Sequence, residues 1–283
     1  MASASRSFTV VADSTCDLPS ELLAENGIDM VPLSVMFGDE TFDDRVLTQD
    51  QFFQRMNAAS QLPTTSQPAV GLFVEAYERA LESAESVISV HISEKLSGTI
   101  ESARSAAEQF AGRVHIFDSR NLSLALGFQV LEAATCSLQG LSVAETLERL
   151  ESVRRRVKMI VALDSLKNLA KGGRIGRVSA FLGGMLDMKV TLTVDDDGAF
   201  QPVKRVRGEH AALQHTLDWV TDRMGTSKRG KFAVGFAQHP ERADWLREQI
   251  ESRYDASQMV VYETGSVIAT HTGSGWGITV LPE

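Results

Sequence analysis

The sequence predicts an α/β fold in two domains. The N-terminal domain, residues 1–155, is built on a parallel sheet, and the C-terminal α+β domain, residues 156–283, on a mixed sheet. Three observations carry this. Short β-branched runs alternate with helical stretches through the first half, the pattern of parallel strands joined by crossover helices. An Asp-Gly pair, Asp197–Gly198, joins two apolar runs in the second half, a strong hairpin signal that points to a mixed sheet. The chain's 283 residues, 43% hydrophobic and 23% charged, are enough for one large or two medium cores.

In chain order, FTVVADS (8–14) is a short buried strand. Pro19 opens a helix over 19–26 that Gly27 closes, the usual placement of the two residues. IDMVPLSVMF (28–37) reads as one strand, and Thr48 with Gln51 as a capping box opening the next helix. Pro68 opens a helix whose apolar positions are Val70, Phe73, Val74, Tyr77 and Leu81. A strand over 86–93, a helix from Thr99, a strand over 114–119 and helices over 121–139 and 142–156 follow. The second domain begins with a strand, KMIVALDS (158–165), and the basic stretch LAKGGRIGR. The hairpin strands span 188–194 and 200–206, and a helix over 208–224, a strand over 231–237, a helix over 241–253 and strands over 258–263 and 276–281 complete the chain. No Pro/Gly-rich linker separates the domains, so a crevice between them is the expected ligand site.

Composition excludes several functions. A net charge of −9 argues against nucleic acid and anionic membrane surfaces, which need concentrated positive charge. Cys16 and Cys136 are too few for a disulfide framework or a zinc site, which suits a reducing compartment. MASASRS has no apolar core of a secretory signal, and no stretch is apolar over the roughly 20 residues a membrane span needs. The expectation is a soluble cytoplasmic protein without metal or cofactor.

Three stretches carry candidate chemistry. KLSGT places Ser97, Gly98 and Thr99 where a strand hands over to a helix, and TTSQP places Thr64, Thr65, Ser66 and Gln67 before the helix of Pro68. Hydroxyls and free N–H groups at helix starts favour an anion, and simple N-capping explains the same residues. THTGSGWG surrounds His271 with hydroxyls and glycines instead of an apolar face. Other motifs fail on composition. GGRIGRVS lacks the Lys-Ser/Thr pair of a phosphate loop, GSGWG is not a dinucleotide fingerprint, and neither Ser97 nor Ser274 sits in Gly-x-Ser-x-Gly. DDDG (195–198) coincides with the hairpin turn, and His210 and His215, five apart, do not share a helix face well.

Taken together, VADSTCDLP, TTSQP, LSGT, the DS of 118–119 before a glycine-containing helix, LAKGGRIG and HTGSG stand in an order and spacing that resembles the DegV family of bacterial fatty-acid-binding proteins. The resemblance spans essentially the whole chain. It implies two α/β domains with a long acyl chain, such as palmitate, stearate or oleate, buried between or beneath them, and a lipid-tail pocket in the second domain. It also implies a partner acyl kinase that phosphorylates the presented carboxylate, giving acyl phosphate for phospholipid synthesis, with peripheral membrane contact for lipid exchange. Carried over by residue, Thr65, Ser97 and His271 match the family's carboxylate-binding positions, with Ser66, Gly98 and Thr99 beside them. Arg174 and Arg205 fall in segments linked to the partner or the phosphorylated product, and Lys204 and Arg207 compete with Arg205. Where the family carries a proline after the second Gly of HTG-x-G, this chain has Ser274 and then Trp276.

Physical chemistry agrees with a carboxylate. It accepts up to about four hydrogen bonds, and a charge-assisted bond contributes roughly 1.5–3 kcal/mol. Tail burial contributes about 0.8 kcal/mol per CH₂, so the tail sets affinity and Thr65, Ser97 and His271 set orientation. Two other readings stand beside this one: a Ser/His acyl hydrolase using Ser97 and His271, and a sensor of a small non-lipid anion.

Overall fold

The computed structural model describes residues 6–181 and 188–283. The reading of MASAS as no signal segment falls outside them. In chain order the elements begin with β1 (Arg6–Asp13), α1 (Ser20–Asn26), β2 (Ile28–Val31), β3 (Ser34–Phe37), β4 (Glu40–Asp43), α2 (Gln49–Ala58) and β5 (Thr64–Ser66). Then come α3 (Val70–Leu81), β6 (Ala84–His91), α4 (Thr99–Ala107), β7 (Val114–Asp118), α5 (Ser123–Leu138), α6 (Val143–Arg156), β8 (Lys158–Leu163) and α7 (Lys167–Lys171). The chain ends through β9 (Met188–Val194), β10 (Phe200–Arg207), α8 (Glu209–Met224), β11 (Arg229–Ala237), α9 (Pro240–Glu251), β12 (Asp255–Glu263), α10 (Ser266–Thr272) and β13 (Gly275–Pro282).

These elements form two compact units, one running to Ser34 and over Ser66–Arg155, the other over Val35–Thr65 and Arg156–Glu283. This corrects the continuous domain expected over 1–155. The segment from Val35 to Thr65 is tied into the second unit by its own polar groups. Gln49 donates from Nε2 to the Phe236 carbonyl at 3.0 Å and accepts from the Gln238 N–H at 2.6 Å, and Asp44 accepts from the Val267 N–H at 3.0 Å.

The first unit holds a four-stranded sheet of order β2-β1-β6-β7, parallel throughout. Helices α3 and α4 cover one part of it through Phe73, Tyr77 and Ala103, which pack on Val11 and Val87. Helix α5 is buried on nearly every side, as an apolar helix without a polar face must be. Gly127 lets it approach: a Cβ there would stand 2.8 Å from the Cys16 carbonyl oxygen. The stretch read as one strand over 28–37 is two strands. Pro32 lies between β2 and β3, and a residue without an N–H interrupts a ladder.

The second unit holds a six-stranded mixed sheet of order β10-β9-β8-β13-β11-β12. Only the β11–β12 pair is parallel. The hairpin turns where expected: Asp195 Oδ1 accepts from the N–H groups of Asp197 and Ala199, and Gly198 takes φ 89°. Leu213, Leu217, Phe232, Leu246 and Trp276 fill the core under α8 and α9. A small sheet of order β4-β3-β5 carries Thr65. Among the described residues no helix is long and apolar enough to cross a membrane.

Candidate functional site

Alternation along β5 leaves Thr64 and Ser66 exposed and turns Thr65 inward. Helix α10, a single pair of turns closed by Gly273 at φ 67°, presents His271 from its last turn. The two side chains meet: Thr65 Oγ1 and His271 Nε2 lie 2.7 Å apart. Burial pushes the His271 pKa down to about 4, and the Arg174 charge adds to the shift. The ring is therefore neutral at physiological pH, a hydrogen-bonding group and not a cation. Helix α7 and the turn after it pack on α10. Asn168 donates from Nδ2 to the Thr270 carbonyl at 3.0 Å, and Arg174 folds back to donate from Nη1 to the Gly172 carbonyl at 2.7 Å.

A cavity of about 430 Å³ opens on this pair, lined by residues 60–65, Asn168, Lys171, Gly172, Arg174, Thr270 and His271. Its size is that of an ordinary ligand site. Among the described residues the lining carries two cations, Lys171 and Arg174, and no carboxylate. Leu62 and Pro63 supply its wholly apolar side chains. Such a wall suits an anionic head group.

The other expected donors lie in the first unit. Gly98 caps α4, and Ser97 Oγ accepts the Thr99 N–H at 3.3 Å while sharing a 2.8 Å hydroxyl contact with Thr99. Ser97 thus turns the chain into α4 from the residue before the Gly98 cap. Gln67 lies across Gly98, with Oε1 2.1 Å from where a Cβ would be and Nε2 donating to Ser102 at 2.9 Å. Ser66 is exposed and bonds the adjoining Gln67 carbonyl. Of the basic candidates, Arg174 lines the cavity and Arg205 does not. Arg205 lies over the Phe181 ring, 5.0 Å from its centre.

Sequence reasoning missed a buried chain behind the Asp-Ser-Thr opening. Asp13 accepts the Thr15 N–H at 3.0 Å and the Ile92 N–H at 2.9 Å, and it faces His91 Nδ1 at 3.1 Å. His91 Nε2 meets Ser89 Oγ at 2.6 Å, and Tyr77 closes the chain at 2.9 Å. The order Ser-His-Asp copies a hydrolase triad. Asp13, Ser89 and His91 are 0% exposed, so no substrate reaches the serine and the chain is structural. The signal was present in the alternation of VISVH, which places Ser89 and His91 on one face of β6.

The model of the DegV family, described as uncharacterised proteins of that family, matches residues 7–283. A DegV domain-containing protein of Deinococcus radiodurans is 38% identical, covering 95% of this chain and 96% of that one. A DegV family protein of Thermus thermophilus, described for its fatty acid binding, superposes with a TM-score of 0.93 at 36% identity, over 97% of this chain and 99% of its own. DegV of Bacillus subtilis, described as a fatty acid binding protein, gives 0.87 at 30% identity, over 99% and 100%.

Proposed function

The chain belongs to the DegV family, and from that premise we propose that it binds a long-chain fatty acid and holds the carboxylate at Thr65 and His271. The observation that carries this reading is the 2.7 Å Thr65–His271 pair on a cavity with two cations and no acid in its wall. A neutral imidazole and a hydroxyl orient a carboxylate without neutralising it, while Lys171 and Arg174 favour its charge. The hydroxyls and the two cations of the wall support this cavity as the head-group site, and we assign the tail to the apolar interior of the second unit. Ser97, Gly98 and Thr99 are proposed as a further donor set for the carboxylate, supported by the paired hydroxyls of Ser97 and Thr99 at the α4 start.

The finer reading is that the bound carboxylate is presented to a partner acyl kinase, which returns acyl phosphate for phospholipid synthesis. The order of the motifs and the place of Arg174 in the head-group wall support it. Arg205, on the surface over Phe181, is assigned to docking the kinase. The hydrolase reading loses support. His271 is engaged by Thr65, and Ser97 by Thr99, so neither serves as the other's partner.

The test is what the purified protein carries. Native mass spectrometry should show an added mass of a few hundred daltons that organic solvent extracts as a fatty acid. A clean unliganded mass, with no binding of added palmitate or oleate, overturns the reading.

A further inference from the structure

Gly172 is glycine for a reason the backbone does not supply. It ends α7 at φ −75° and ψ −4°, a right-handed conformation open to any L-residue. The helix stop that calls for glycine falls on the next residue, Gly173, at φ 76°. What excludes a side chain at 172 is the imidazole: a Cβ there would lie 2.3 Å from His271 Nδ1 and 2.9 Å from its Cε1, well inside the roughly 3.5 Å of non-bonded contact. The ring occupies the place of the missing methyl. On that side Nδ1 is buried and has no hydrogen-bond partner among the described residues.

The contact decides where the ring's one proton sits. A protonated Nδ1 facing a bare Cα would be a buried donor with nothing to receive it, whereas an unprotonated Nδ1 meets only a weakly polar C–H. The depressed pKa keeps the ring neutral, so the proton belongs on Nε2, which donates to Thr65 Oγ1 across the 2.7 Å contact. A hydroxyl that accepts there has its own proton left to give.

We propose that Gly172 is a positioning residue of this site: its missing side chain seats His271 with Nδ1 bare and Nε2–H turned to Thr65, making Thr65 a donor toward the bound carboxylate. The last step rests on the fatty-acid reading; the seating of the ring does not.

The test is Gly172→Ala. If Gly172 merely ends a helix, alanine, the better helix former, leaves binding unchanged and raises stability slightly. If it positions His271, oleate binds about tenfold more weakly, the loss of one charge-assisted bond, while the melting temperature stays within about 4 °C of the parent. Imidazole ¹⁵N spectra give the readout independent of ligand. The parent protein should show His271 protonated at Nε2, and Gly172→Ala should shift both ring nitrogens. A parent ring protonated at Nδ1, or unchanged ring signals with unchanged oleate affinity, overturns the proposal. The cycle with His271→Ala guards against a general loss of structure. Once the imidazole is gone, Gly172→Ala should cost no further affinity, and an equal cost in both backgrounds also overturns it. If the parent protein binds no oleate, the fatty-acid reading fails, and the ¹⁵N shifts alone decide the seating of the ring.

Discussion

Thr65 has a single hydroxyl, and His271 takes one side of it at 2.7 Å. Its remaining capacity faces a cavity wall without carboxylates. Removing that hydroxyl should weaken oleate binding by the worth of one charge-assisted bond, roughly 1.5–3 kcal/mol. Tail burial keeps binding measurable. The expected outcome in titration calorimetry is that Thr65→Ala loses about tenfold or more, while Thr65→Ser stays within a few-fold of the parent. Equal losses in both would mean that the methyl, not the hydroxyl, is what the ligand feels. His271 adds a pH dependence whose sign follows from burial. Its pKa falls from 6.5 to about 4 on folding, so between those values the unfolded chain binds a proton that the native state refuses. Stability should drop as pH falls through that window, by up to roughly 3 kcal/mol for a shift of this size, and this contribution is absent above it. Urea midpoints across a pH series should show His271→Gln losing part of this acid limb; an identical slope in both proteins would remove His271 from the account.

The first turn of α4 illustrates how one residue can carry two readings. Ser97 Oγ receives the Thr99 N–H, and losing a hydrogen bond of this kind costs about 0.5–1.5 kcal/mol. Ser97→Ala is therefore expected to lower stability by that amount. A role in holding the carboxylate, as proposed, requires in addition a fall in oleate affinity measured well below the melting temperature; unchanged affinity would leave Ser97 with the turn into α4 alone. The elements most legible in the sequence were those with a strong period or punctuation. Pro and Gly bracket α1, Thr48 and Gln51 form the capping box of α2, and Asp197–Gly198 turns the hairpin. Those that escaped are short and shaped by tertiary contacts. Strand β5 is three residues, and α10 is seven, with Val267, Ile268, Thr270 and Thr272 all β-branched, types that disfavour a helix on intrinsic grounds. The site residues Thr65 and His271 were visible as chemistry, but their contact was not, because 206 positions separate them.

Whole-molecule organisation was legible in class but not in connectivity. Alternating strands and helices announce a parallel sheet, and a hairpin among them announces a mixed one. Nothing local marks residues 35–65 as an insertion serving the second unit, since a strand's partners are set by long-range pairing. The consequence can be measured by dividing the chain at the boundary the sequence suggests. A fragment of residues 156–283 keeps all six strands of its mixed sheet and would fold if that sheet were sufficient. It loses Gln49, whose side chain pairs with the end of β11 where Gln238 and His239 both take positive φ. It also loses Asp44, which receives the N–H of Val267 near the start of α10, and Thr65, the partner of His271. Each leaves a polar group of the second unit without its mate, at roughly 1–3 kcal/mol where buried. Strained backbone at 238–239 and a seven-residue helix are poorly placed to survive that, because domains are stable by only about 5–15 kcal/mol in total. The fragment is expected to lack cooperative thermal unfolding and dispersed amide resonances. Joining residues 35–65 to its N-terminus through a flexible linker is expected to restore both. A cooperative transition in the bare fragment within a few degrees of the intact chain would show that the insertion decorates the second unit without completing it.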